Sequence, residues 1–517
     1  MIHKHLDYYA KHLKHDAPAS IAVFLVALPL CLGIAMASGA PLFAGLIAGI
    51  VGGLVVSWAS GSQLSVSGPA AGLTVIVFMA IETLGSFEAF LLSVVIAGVI
   101  QLVMGYLRAG IIGAFFPSSV IKAMLSAIGL ILIIKQIPHA VGYDVSFEGD
   151  DSYMMESANS SFHELFDSFG AISQGATTIA LVSLAILILW DTSWMRKFTV
   201  IRRTPGALIA VLWGVIFNLI ALEYFPSFAV SPKHLVSLPI LNDFSELTAL
   251  FVHPDFSVFL NPQVYVVAIT LAIIASLETL LSLEAVNKLD PLKRIAPTNR
   301  ELKAQGLGNI LSGLIGGLPI TAVIVRSSAN VHAGGVTRIS AFLHAVWLLL
   351  SVLFLANYLN MIPLSALAAI LLYIGFKLVN PHQFYTMYKD GLTQFLPFII
   401  TIIAVIATDL LQGIIIGIFV GLFFVIRANY HASITMRNDE DKYTIQFHKD
   451  VSFLNKALLR KLLLKVPENA TLVVDCSKSQ YVDHDIMETV EDFIKAAPDD
   501  NIKATRKAYC HNEIGEK

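Results

Sequence analysis

Two stretches far apart in the chain, Ser67-Gly68-Pro69-Ala70-Ala71-Gly72-Leu73-Thr74 and Gly316-Gly317-Leu318-Pro319-Ile320-Thr321-Ala322-Val323, each place glycine and one proline inside apolar sequence. Proline suits the first turn of a helix, where its missing N–H costs nothing. Each stretch therefore predicts a helix that starts inside a membrane, with unpaired amides facing its counterpart. Half-helix N-termini attract anions, and matching breaks in two halves of a membrane protein point to a carried anion. At Gly68, Pro69, Ala70 and Ala71 small side chains let backbone N–H groups approach a ligand, and Ile320, Thr321 and Ala322 do the same from the second stretch. Thr74 and Thr321 could add hydroxyls, although threonines in such helices also bond their own backbone. Close helix packing, which also favours glycine and alanine, is the plainer explanation of either stretch alone.

Charged residues in apolar surroundings add a second chemistry. Glu278 follows 22 uncharged residues after Asp255. A carboxylate at a helix centre costs ~2.5–3.5 kcal/mol in a bilayer, so it should face a cavity or a partner. Ser282 is four residues on, hence on the same helix face. With a carbonyl of the broken segment at Gly317, these oxygens fit a sodium site; a lone carboxylate could instead carry a proton. Arg326 follows 22 uncharged residues after Lys303 and could neutralise the anion or pair with Glu278. Glu284 belongs nearer the interface, Lys122 and Lys135 should extend to headgroups, and His344 is a proton-relay candidate.

Such residues need a membrane scaffold, and the composition supplies one. The chain has 517 residues, 56% hydrophobic and 14% charged, with mean hydropathy +0.73. No Asp, Glu, Lys, Arg or His occurs between Asp16 and Glu82. This is the composition of a polytopic α-helical membrane protein, without a cleavable signal peptide. A net charge of −3 gives no basic field for nucleic acid. Fourteen spans are expected, near 18–38, 41–59, 67–84, 89–107, 120–137, 171–190, 205–222, 262–283, 304–318, 320–334, 340–356, 361–376, 394–409 and 411–427.

Loop charge sets orientation, since Lys and Arg gather inside. Lys4, Lys11 and Lys14, then Arg196, Lys197, Arg202 and Arg203, then Lys288, Lys293, Arg294, Arg300 and Lys303 all fall inside by parity. The 138–170 loop, acidic and without Lys or Arg, falls outside. Residues 1–17 and the tail are then cytoplasmic, and 18–428 form the transport domain. Its halves, about 18–222 and 262–428, hold seven spans each, and an odd number per half gives a 7+7 inverted repeat. The two broken half-helices are the third span of each half.

Residues 438–517 change character, with 12 Lys or Arg and 15 Asp or Glu. Tyr443–Phe447 and Thr471–Asp475 read as strands, and Asn455–Val466 and Asp485–Ala497 as helices, giving a β-β-α-β-α cytoplasmic α/β domain. Cys31, Cys476 and Cys510 are odd in number and scattered, which predicts neither a disulfide frame nor a zinc site.

The span order, Ser67-Gly68-Pro69, Gly317-Leu318-Pro319 with Arg326-Ser327-Ser328-Ala329-Asn330-Val331, and Glu278 with Ser282 together resemble the sulfate permease (SulP) family. The tail resembles a shortened STAS domain, with Asp475-Cys476-Ser477 and Tyr481-Val482-Asp483 at its signature positions. Where anti-sigma antagonists of that domain type carry a phosphorylatable serine, this chain has Asp485, so docking or assembly is the expected role. The resemblance implies core and gate domains, elevator-like movement of the core, an acidic eighth-span residue linked to cation coupling, inorganic anions or dicarboxylates as cargo, and a homodimer.

Together these readings predict a secondary carrier of a small inorganic anion in a bacterial cytoplasmic membrane, bicarbonate before sulfate, coupled to sodium or protons. No GxxxxGK[ST] or HExxH is present, so neither ATP hydrolysis nor an enzyme is expected, nor any cofactor beyond a coupling Na+. The alternatives are a dicarboxylate carrier, a nucleobase carrier using Gln63, Gln101 and Glu278 to read base edges, and an uncoupled anion channel. Membrane lipid and the anion are the expected partners.

Overall fold

The computed structural model describes residues 2–111, 117–143, 172–197, 204–240, 251–408, 410–432, 434–439, 441–448, 450–479 and 481–507. All seven acidic residues of the 138–170 loop, with Arg202, Arg203 and Cys510, lie outside these residues. The first half of the helical region comprises α1 (Ile2–Ala37), α2 (Leu42–Val51), α3 (Ser57–Ala59), α4 (Thr74–Leu84), α5 (Phe87–Tyr106), α6 (Ser118–Val141), α7 (Gln174–Trp190) and α8 (Gly206–Tyr224). The second half comprises α9 (Pro262–Leu289), α10 (Thr298–Leu314), α11 (Ile324–His332), α12 (Ile339–Leu359), α13 (Leu364–Val379), α14 (Pro381–Lys389), α15 (Leu392–Ala407) and α16 (Leu410–Ala432). A helix lies at each expected position, and among the described residues eight helical segments are long and apolar enough to cross a bilayer. Helices dominate because hydrocarbon offers backbone amides no partner, so each segment must satisfy its own.

The helix pairings fit an inverted repeat. α1 packs on α12, and the corresponding helices of the other half, α9 and α5, pack on each other. α6 and α13, the fifth helix position of each half, pack together. Glycine permits the closest crossings: a Cβ on Gly98 of α5 would sit 2.7 Å from the Gly306 carbonyl oxygen of α10. A Cβ on Gly129 of α6 would sit 2.6 Å from the Gly375 carbonyl oxygen of α13. Backbones approach this closely where small residues meet, which is how helices associate without a hydrophobic drive.

Several boundaries differ from expectation. α1 runs unbroken through residue 17, and buried Asp16 accepts hydrogen bonds from Val336 N–H at 2.8 Å and Thr337 N–H at 3.0 Å. A carboxylate that gains two amide donors can be buried within a helix where solvation is lost. The expected 284–303 loop contracts to 290–297, so Lys288, Arg300 and Lys303 lie on helices. Lys135 does not simply extend to headgroups, since its Nζ stands 2.9 Å from the Phe78 ring centroid on α4. An aromatic face offers the ammonium a partner inside the protein.

Residues 1–386 with 401–414 form one compact unit, and 387–400 with 415–517 form a second. Within the second, β3 (Ile434–Asp439), β4 (Lys442–Phe447), β5 (Thr471–Asp475) and β6 (Lys503–Lys507) make a sheet in that spatial order. β3 is antiparallel to β4, and the β4–β5 and β5–β6 pairs are parallel. Helices α17 (Lys456–Leu463) and α18 (His484–Ala496) are the crossovers, and Phe447, Leu459, Leu472, Val474 and Ile486 fill the core. The strand β6 was not anticipated, because Lys503-Ala504-Thr505-Arg506-Lys507 is mostly exposed and carries little alternation. Asp483 caps α18 by accepting from Asp485 N–H at 3.1 Å and also accepts from Phe453 N–H at 3.1 Å. The Ser477 hydroxyl and N–H hold the Asp475 carboxyl below its ordinary range. Asp485 lies 3.5 Å from Lys456 Nζ. Cys31 is buried and free, but Cys476 is disulfide-bonded, which corrects the expectation of no disulfide. An odd count excludes complete pairing, not a single pair.

Candidate functional site

The two glycine-proline stretches meet. β1 (Ser67–Pro69) and β2 (Ile320–Ala322) pair antiparallel, with Ser67 opposite Ala322, Gly68 opposite Thr321 and Pro69 opposite Ile320. This corrects the expectation that the prolines open the helices: Pro69 ends a strand and Pro319 precedes one. Two breaks inside a low-dielectric region leave backbone groups to satisfy, and pairing them with each other does so. Helix follows only afterwards, through a 3-10 turn at Ala71–Leu73 into α4, and from extended Val323 into α11. Both helix starts, with their first-turn amides, thus flank one strand pair.

One helix grips both strands. On α10, Glu301, Gln305, Asn309 and Ser312 share a face and are all buried. Gln305 Nε2 donates to Ser67 Oγ at 2.8 Å and to Glu301 Oε1 at 2.9 Å, and Ser60 bonds the other Glu301 oxygen. Asn309 takes both backbone groups of one residue: Ile320 N–H donates to its Oδ1 at 2.6 Å, and its Nδ2 donates to the Ile320 carbonyl at 3.1 Å. Ser312 Oγ donates to the Leu318 carbonyl at 2.7 Å. Ala322 N–H donates to Thr279 Oγ1 of α9 at 3.3 Å. The α11 side reaches back to the first stretch, since Val66 N–H donates to Ser327 Oγ at 2.9 Å and Asn330 Nδ2 to the Leu64 carbonyl at 3.1 Å.

These anchors change the reading of individual residues. Ile320 and Ala322 remain at the site, but their N–H groups are spent on Asn309 and Thr279 and do not face a ligand. Thr74 is buried with its hydroxyl donating to the Ala71 carbonyl at 2.8 Å, so it bonds its own helix start. Thr321 is buried opposite Gly68. Gly317 packs tightly, since a Cβ there would lie 2.7 Å from Ile47 and would overlap Ser312 Oγ. Ala70 lies in the extended link between β1 and the 3-10 turn, which Ala71 begins.

Arg326 is fully buried. Its Nη2 donates to the Pro69 carbonyl at 3.3 Å, the Cys31 thiol lies beside the guanidinium, and no oxygen acceptor meets Nε or Nη1. A Cβ on Gly68 would overlap Nη1, so glycine is what admits the guanidinium behind β1. The expected alternative, an Arg326–Glu278 pair, does not form. Glu278 instead accepts from the Gly72 N–H, and its Oε2 is buried without a partner. A Cβ on Gly72 would stand 2.7 Å from Glu278 Oε1. Ser282 is buried one turn farther along α9. Exposed Glu284 pairs with Lys288 at 2.6 Å, as expected for an interface position. His344 is buried, with Nε2 unpartnered.

The arrangement collects opposite charges around one backbone feature. Two helix starts and a buried guanidinium favour an anion at the strand pair, while the Glu278 carboxylate at the first turn after β1 favours a cation. Among the described residues no cluster of three His, Cys, Asp or Glu exists. Thr279, Gln101, Gln305 and Asn309 escaped the sequence reading as anchors. The four-residue spacing of Glu301, Gln305 and Asn309 was the available signal.

The family model of the sulfate permease family matches residues 13–404. The YvdB protein of Bacillus subtilis is 26% identical over 92% of this chain and 88% of its own. The bicarbonate transporter BicA of Picosynechococcus is 26% identical over 79% of this chain and 69% of its own. In fold, the chain is similar to the murine Solute Carrier 26 family member A9 anion transporter in the inward-facing state, with TM-score 0.77 at 14% identity over 96% of this chain and 85% of that one. A match of this extent, over the helices and both crossed strands, means that the chain belongs to the sulfate permease family.

Proposed function

We propose that this protein is a secondary carrier of a small inorganic anion, bicarbonate before sulfate, coupled to sodium or protons through Glu278. The observation that carries the reading is the β1–β2 pair, which brings two helix starts and Arg326 to one place. The bicarbonate transporter and the anion transporter among its relatives support an anionic cargo. Coupling is argued from the buried, unpartnered Glu278 Oε2 with Ser282 one turn away. A cation bound there offsets the anion's charge, against which an inside-negative potential works at ~2.3 kcal/mol per charge per 100 mV. The nucleobase alternative keeps Glu278 but is weakened at its amides: Gln101 Oε1 accepts from Asn309 and its Nε2 donates to Ser276, while Gln63 Oε1 accepts from the Arg338 N–H.

The helix starts move with the strand pair as one body, by elevator-like alternating access. The protein sits in a bacterial cytoplasmic membrane as a homodimer, with fourteen crossings and both termini inside. The test is uptake by proteoliposomes of bicarbonate, sulfate, fumarate and chloride, each with and without a sodium gradient and a proton gradient. Cation-stimulated uptake of bicarbonate or sulfate is the expected result. Uptake equal under all gradients overturns the coupling, and fumarate alone being carried overturns the cargo.

A further inference from the structure

We infer that Asn309 is a positioning residue that fixes the second strand for anion binding and ties it to the helix carrying Glu278. The inference rests on the anion-carrier reading above and assigns a residue that touches neither ion. Asn309 is buried and uses its whole amide: Oδ1 accepts from the Ile320 N–H at 2.6 Å, and Nδ2 donates to the Ile320 carbonyl at 3.1 Å and to Gln101 Oε1 at 2.7 Å. Gln101 Nε2 then donates to Ser276 Oγ at 3.2 Å, and Ser276 lies on α9 two residues before Glu278. Four bonds thus connect the backbone of β2 to the cation helix. One turn of α9 away from that link, Thr279 holds Ala322, so β2 is fastened to α9 at both ends.

The geometry is more than generic packing. A side-chain amide that satisfies both the N–H and the C=O of one residue replaces a neighbouring strand, and it does so in one register only. Val323 N–H donates to the Val66 carbonyl, so by antiparallel alternation Ile320, opposite Pro69, is at a non-hydrogen-bonded position: its N–H and C=O face away from β1 and need another partner. Without Asn309, both Ile320 groups would be buried and unpaired, at the cost of two hydrogen bonds. β2 would then be free to shift, and with it the start of α11 and Arg326.

Two variants of the full-length protein separate positioning from bulk stability. Asn309→Ala removes every bond. Asn309→Asp keeps the acceptor for Ile320 N–H but, when ionised, turns an oxygen on the Ile320 carbonyl and on Gln101 Oε1; protonation restores one donor. Glu301, two turns earlier on α10 and bonded to Gln305, and Glu278, two residues after Ser276 on α9, are titratable groups on the linked helices, and a ratio to the unmodified protein at each pH removes their contribution. With labelled sulfate in proteoliposomes, the half-saturating concentration should rise roughly tenfold in both variants at neutral pH, with maximal rate changed far less. In mildly acidic buffer Asn309→Asp should recover toward the unmodified protein, and Asn309→Ala should not. Hydrogen exchange of the solubilised proteins reads the same claim without transport: Ile320–Ala322 should exchange faster in Asn309→Ala, and in Asn309→Asp only above its protonation. Unchanged exchange at Ile320–Ala322 overturns the inference, as does a fall in maximal rate with the half-saturating concentration intact. If the unmodified protein carries no sulfate, the carrier reading fails for that ion, and exchange alone decides the positioning.

Discussion

The two broken segments occupy corresponding places in their halves yet are built differently. The first, Ser67 to Thr74, is the barer: α10 bonds it at the Ser67 side chain, Gly68 admits Arg326, Gly72 admits Glu278, and Thr74 bonds its own helix start. The second, Leu318 to Arg326, is anchored: Asn309, Thr279 and Ser312 each claim a backbone group of it, and it carries the arginine. An inverted repeat thus gives two similar frames with different tasks. The bare segment lets charged side chains from elsewhere approach, and the anchored one fixes where the charge is.

The comparison breaks most readily at Gly68. Gly68→Ala should lower uptake by about 100-fold, the scale set by displacing a reacting or binding group by about 1 Å, because the new methyl overlaps Arg326 Nη1. Retained uptake would mean the first segment does not depend on admitting the arginine. Next comes Glu278→Gln, which should abolish stimulation by sodium and by protons while labelled anion still exchanges across the membrane; persistent stimulation removes Glu278 from the coupling. Ser327→Ala tests whether the anchored side also steadies the bare one. It leaves the Val66 N–H unpaired, at a cost of about 1–3 kcal/mol, and should lower the unfolding midpoint in detergent more than Ser328→Ala does. The smallest effect belongs to Thr74→Val, with half-saturation within about twofold, since its hydroxyl serves the Ala71 carbonyl rather than the ligand. A large rise there would restore Thr74 to the anion.

Much of this was legible in the residues. Glycine-proline breaks, an intramembrane acid after a long uncharged run and a charged tail are all signals of type and spacing, and each reports a cost that a bilayer or a core imposes locally. The anchors were not legible in that way. Gln101, Asn309 and Thr279 are polar residues whose partners lie on other elements, and α10, with Gln305 and Asn309 inside it, reads only as the span near 304–318. The misplacement of Pro69 has the same origin: alone, a proline after glycine fits a first helical turn, and only a second strand beside it makes an extended segment cheaper.

The sequence by itself determined that this is a membrane chain with two matched breaks, a buried acid and arginine, and an α/β tail, because hydropathy, charge and helix chemistry act within a few residues of each position. Only the tertiary structure decided that the breaks pair as strands, that Glu278 sits on Gly72 rather than Arg326, and that Asn309 holds Ile320. Those outcomes depend on which buried polar groups find one another across the fold, and a hydrogen bond between distant segments leaves no periodicity in the chain.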